Sequence, residues 1–124
     1  MNLKMKVLYI FPQKDLFRYR VSFRAKWLDE HIEPEINVPH AADISVWFYN
    51  MRKGYTQKER VATNKWLTPY MSFLNFADEI EGWPTDDHSK IRLFKRDGSE
   101  EYIEDPDWKW GVKVAEAVYK AQVA

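Results

Sequence analysis

Three short runs of large apolar and β-branched residues, at positions 7–11, 44–49 and 71–77, are separated by stretches whose apolar residues recur at helical spacing. Continuous rather than alternating runs suit strands covered on both faces. Covered strands alternating with helices imply a parallel sheet with crossover helices. The first run, Val7-Leu8-Tyr9-Ile10-Phe11, stops at Pro12. The second leads into Asn50 and a turn at Lys53-Gly54, and the third into Asp78-Glu79 and a break at Gly82-Trp83-Pro84.

Between the first two runs, Val21, Ala25, Leu28 and Ile32 share one helical stripe, with Arg24, Lys26, Asp29, Glu30 and Glu33 largely off it. The pattern predicts an amphipathic helix ended by Pro34, then a short strand near residues 35–38. Thr56-Gln57-Lys58-Glu59 reads as a capping box opening a second helix, which should end near Leu67 because Pro69 disfavours helical geometry at Thr68. Residues 90–104 read as a β-hairpin around Asp97-Gly98. Charge complementarity favours a three-residue loop pairing Arg92 with Glu104 and Phe94 with Tyr102. A final helix begins near Trp108, with Lys109, Lys113, Glu116 and Lys120 on its solvent face. The expected class is α/β: a single domain over residues 1–124, with a small Rossmann-like, mostly parallel sheet flanked by helices, a C-terminal hairpin and a last helix.

Composition excludes several functions. Nineteen basic and nineteen acidic residues give a net charge of +0, which disfavours nucleic acid as a partner. There is no cysteine, hence no disulfide or thiolate chemistry. The apolar run at residues 7–11 is too short for a signal or membrane segment, so a cytoplasmic protein with no membrane contact is expected. Six Trp, seven Tyr and seven Phe fill a core or supply a recognition surface.

In an open α/β sheet, ligands collect outside the carboxyl ends of the strands. The loops after the three runs therefore form a candidate ligand rim of Lys14, Arg18, Arg20, Asn50, Arg52, Lys53, Asp78 and Glu79. The first loop, Pro12-Gln13-Lys14-Asp15, has no glycine to bring backbone against a phosphate, so usual NAD and ATP modes are excluded and no cofactor is expected. His31, His40 and His88 are scattered, Asp86-Asp87-His88 lacks metal-ligand spacing, and no Ser–His–Asp set can be argued. No catalytic or metal-binding residue is assigned. Trp83, Trp108 and Trp110 are candidates for a protein interface.

Lys6-Val7-Leu8-Tyr9-Ile10, Arg18-Tyr19-Arg20-Val21, Ala25, Trp27-Leu28 and Ala42-Asp43-Ile44-Ser45-Val46 together form a pattern, joined by Phe73-Leu74-Asn75-Phe76-Ala77-Asp78-Glu79. It resembles the N-terminal, acceptor Rossmann-like domain of GT-B glycosyltransferases. That resemblance implies a half-domain whose sugar-nucleotide partner domain does not fit in 124 residues. The reading therefore leans away from an enzyme. It favours a small non-catalytic binding or accessory protein with a protein partner, of the kind bacteriophages direct at host factors. The alternative is a glycosyltransferase-like subunit binding a sugar or phosphorylated small molecule at the rim.

Overall fold

The computed structural model describes residues 16–48 and 51–124. They form a small α/β fold with a mixed three-stranded sheet in the order β1 (Tyr19–Val21), β2 (Lys90–Phe94), β3 (Glu100–Glu104). β1 runs parallel to β2, pairing Tyr19 with Arg92 and Val21 with Phe94. β2 and β3 form the antiparallel hairpin. The helices are α1 (Ile44–Trp47, a single turn), α2 (Gln57–Leu74) and α3 (Trp108–Val123), with 3-10 turns at Lys26–Glu30 and Pro34–Ile36.

Several sequence expectations are corrected. The first apolar run lies outside the described residues. Residues 44–47 of the second form α1, a helical turn rather than a strand, and Tyr49 lies outside the described residues. Short β-branched runs do not separate a buried strand from a buried turn, and tertiary contacts decide. Here Trp47 Nε1 donates to Asp43 Oδ2 at 3.0 Å, one turn back. The carbonyls left open at the end of the turn are closed by Arg52, whose Nε donates to Ser45 O at 3.2 Å and Nη2 to Val46 O at 2.8 Å.

The third run is the end of α2, which passes through Pro69 to Leu74. Proline costs the helix about 3 kcal/mol through its missing donor and its ring clash. Packing beyond it offsets this: Tyr70 meets Trp47 edge-on at 5.0 Å and Phe73 meets Phe17 at 5.3 Å. So no set of three parallel central strands exists among the described residues, and the Rossmann-like sheet is replaced there by the mixed one.

The helix read over Val21 to Ile32 is instead β1, an extended stretch and a 3-10 turn. Ladder pairing takes Tyr19–Val21, and Ser22 N continues it to Phe94 O at 2.8 Å. Arg24, assigned to solvent by helical period, is buried; it ties Asp29 at 2.5 Å and donates to the carbonyls of Ile32 and Asn37. The strand expected near residues 35–38 is a 3-10 turn followed by Asn37 at φ 58°.

Local signals survived intact. Thr56 Oγ1 accepts from Glu59 N at 3.2 Å and Glu59 Oε2 accepts from Thr56 N at 2.7 Å, a complete capping box. The hairpin forms with a three-residue loop, but shifted: Arg92 faces Tyr102 and Phe94 faces Glu100. Asp97 Oδ1 accepts from Ser99 N at 2.9 Å, and Gly98 takes the left-handed position at φ 86°. These fix the loop at residues 96–98, with Lys95 N donating to Ser99 O at 2.8 Å.

The core is an aromatic stack. Phe94 lies between Phe23, at 4.6 Å, and Trp66, at 4.9 Å, with all three rings nearly parallel. Each such pair contributes about 0.5–1.5 kcal/mol beyond its buried area. Arg92, two residues before Phe94 and on the same face of β2, lies 3.9 Å from the Trp66 ring centre. Among the described residues, no helix is long and apolar enough to cross a membrane.

Candidate functional site

The candidate rim does not assemble as one concavity. Lys14 and Asn50 lie outside the described residues. Arg18 and Arg20 converge on Asp105, just after β3, rather than on Asp78 or Glu79. Arg18 also donates to His88 O and lies 4.8 Å over the Trp108 ring. Arg20 reaches Asp107 at 2.7 Å. This cluster clamps β1 to the segment leading into α3. Burial alone would raise the Asp105 pKa; the Asp107 backbone N–H and the two guanidiniums outweigh it and hold the carboxyl below its ordinary range.

Arg52 is fully buried as the cap of α1, and its Nη1 also donates to Asn64 Oδ1 at 2.6 Å. Lys53 is exposed beside Gly54. Gly54 has φ 96°, and a Cβ there would stand 3.3 Å from Trp27. Asp78 and Glu79 lie apart from the arginines, on a cleft beyond the end of α2. Of the tryptophans, Trp83 is buried with Nε1 donating to Arg18 O at 2.9 Å, Trp108 is half-buried and Trp110 is exposed.

The histidines differ in setting. His31 ends a 3-10 turn, with Nδ1 3.1 Å from Trp27 O and its ring edge-on to Trp27 at 5.5 Å. His88 is half-buried beside Arg18. His40 is exposed on the turn Pro39-His40-Ala41-Ala42, closed by Ala42 N donating to Pro39 O at 3.0 Å. Ala41, the third residue of that turn, has φ 65°. A type II turn demands such a φ there and normally uses glycine or asparagine. An alanine in this region stores roughly 1–3 kcal/mol of strain, and strained backbone of this kind clusters at functional sites. The turn feeds directly into α1, which Arg52 and Trp47 hold in place. Asp43, at the start of α1, also keeps the Tyr19 phenol raised, burial being the larger cause.

Comparison with known proteins shows what the chain is similar to. No family model matches the chain, and no solved structure does. Two curated proteins match most of it. An uncharacterized esterase/lipase of Schizosaccharomyces pombe is 35% identical over 107 residues, covering 86% of this chain and 20% of that protein. A carboxylic ester hydrolase of Gibberella moniliformis is 35% identical over 104 residues, covering 81% of this chain and 18% of that protein. The chain thus spans about a fifth of the length of these relatives. The similarity overturns the resemblance to GT-B glycosyltransferases. Part of that pattern, Ala42-Asp43-Ile44, is a turn entering a helix. It overturns equally the non-catalytic, phage-type accessory reading and the leaning away from an enzyme, because the similarity runs to proteins named as ester hydrolases. Sequence reasoning passed over His40. A single histidine beside a proline has no spacing pattern.

Proposed function

We propose that this chain is the part of a carboxylic ester hydrolase that supplies the general base, and that His40 is that base. The reading rests on the 35% identity to two ester hydrolases over more than 100 residues. A serine-type ester hydrolase needs a nucleophile, a histidine that takes and returns its proton, and a carboxylate that orients the histidine. In α/β-hydrolases the nucleophile sits in G-x-S-x-G, and the histidine comes last of the three in chain order. The glycines here are at positions 54, 82, 98 and 111, so no G-x-S-x-G occurs. We therefore assign the chain the late histidine rather than the nucleophile. His40 suits the role because its turn exposes the ring on strained but anchored backbone. His31 leans on Trp27, and His88 sits in the arginine clamp.

In this mechanism the His40 ring accepts the serine hydroxyl proton as the oxygen attacks the ester carbonyl. It then returns the proton to the departing alkoxide, and the cycle repeats with water. To test this, the matching segment of the Gibberella moniliformis relative is replaced by this chain, and hydrolysis of p-nitrophenyl butyrate is measured. A folded chimera that turns over the ester supports the reading. A folded chimera without turnover, beside an active parent, contradicts it.

A further inference from the structure

We propose that the cleft beyond the end of α2 binds an amphiphilic organic cation, an alkylammonium held by aromatic faces and a carboxylate rim. The cleft measures 1190 Å³, slightly above the usual range of small-molecule sites. Phe17, Phe73, Phe76 and Trp83 line it, together with the carboxylates Asp78, Glu79 and Asp86. Phe17 meets both Phe73 and Trp83 edge-on at 5.3 Å. No lysine, arginine or histidine is among the described lining residues, and neither Asp78 nor Glu79 forms a salt bridge among them. Ring faces attract cations through their quadrupole, and unneutralised carboxylates add a long-range field of the same preference. A neutral ligand gains only the apolar walls; an anion is repelled.

A second observation concerns Phe76. α2 ends in a Schellman motif: Ala77 N donates to Ser72 O at 3.2 Å and Phe76 N to Phe73 O at 3.1 Å. The left-handed residue of that motif is ordinarily glycine. Here it is Phe76, at φ 58°, with 94% of its surface exposed. The motif therefore holds a large ring in solvent at the cleft mouth, against both backbone preference and burial. A ligand seated in the cleft would cover that ring.

The inference is independent of the hydrolase reading. Its test is calorimetric titration of the chain with hexyltrimethylammonium, hexanol and hexyl sulfate, which share a tail and differ in head group. The cation is expected to bind at least about tenfold more tightly than the alcohol, and the sulfate not at all. The cation's advantage should shrink as salt is added. The double variant Asp78→Asn with Glu79→Gln changes two exposed side chains and should leave the fold intact by circular dichroism. It should cut the cation's advantage over the alcohol several-fold without changing alcohol binding. Equal binding of all three ligands, no cation binding at about 10 mM, or a cation preference undiminished by the double variant would each overturn the proposal.

Discussion

The guanidinium of Arg92 lies over the indole of Trp66, 3.9 Å from its centre, and donates from Nη1 to the carbonyl of the same residue at 2.8 Å. Its Nη2 donates to Glu100 Oε2 at 2.6 Å across the hairpin. One side chain thus joins β2, β3 and α2. Burial lowers the Arg92 pKa, and the Glu100 partner opposes that shift. Arg92→Lys keeps the charge but cannot stack or reach both acceptors. It is expected to destabilise the fold by about 2–3 kcal/mol, read as a lower urea midpoint. An unchanged midpoint would mean the stack is incidental.

Arg52 was expected at a ligand rim, and its position in the structure gives it a different job. Removing it leaves the carbonyls of Ser45 and Val46 without these bonds in the interior. Arg52→Met should cost about 2–4 kcal/mol in chemical denaturation, because buried acceptors lose their donors. A rim residue waiting for an anion would show almost no such loss.

Asp105 makes acid stability measurable. Its carboxyl titrates below the ordinary value of 3.8, so the folded state holds the charged form more firmly than the unfolded chain does. The resulting stabilisation is complete above about pH 4–5 and disappears as pH falls through the folded value. Arg18 and Arg20 are partly exposed, so Asp105→Asn should cost only about 1–2 kcal/mol near neutrality. The variant should then lose less stability than the wild type as the pH drops further, with the two urea midpoints approaching each other. Parallel acid profiles would contradict the clamp.

Phe76 offers a substitution of opposite sign. Phe76→Gly relieves the left-handed penalty at the end of α2, and the entropy of glycine in the unfolded chain offsets part of the gain. A net stabilisation of about 0.5–1 kcal/mol is expected, seen as a raised thermal midpoint. Destabilisation would show that the exposed ring packs more than its surroundings indicate.

What could be read from the sequence was what neighbours in the chain decide among themselves. The Thr56–Glu59 capping box, the loop around Asp97-Gly98 and the helix from Trp108 each rest on contacts within a few residues. The hairpin register slipped because charge pairing was used to set it, whereas the Asp97–Ser99 turn and the Arg92–Glu100 bridge decide it. Residues 44–49 and 71–77 were misread because a short apolar run is silent about partners. Arg52, beyond the end of the first, holds residues 44–47 as a helical turn, and the aromatic contacts of Tyr70 and Phe73 carry α2 on to Leu74. The rim inherited that error, since it assumed strands at both places. The role proposed for His40 was beyond reach for a different reason: the partners of a catalytic base are close in space, not in sequence.

The hydrolase account is tested most directly by kcat/KM for p-nitrophenyl butyrate in the Gibberella moniliformis chimera carrying His40→Ala, beside His31→Ala and His88→Ala. Loss of a triad histidine costs at least about a thousandfold, while histidines without a catalytic part change the rate little. The expected result is a collapse of that order for His40→Ala alone, in a protein with unchanged circular dichroism. Full activity in His40→Ala, or an equal collapse in all three variants, would contradict the assignment.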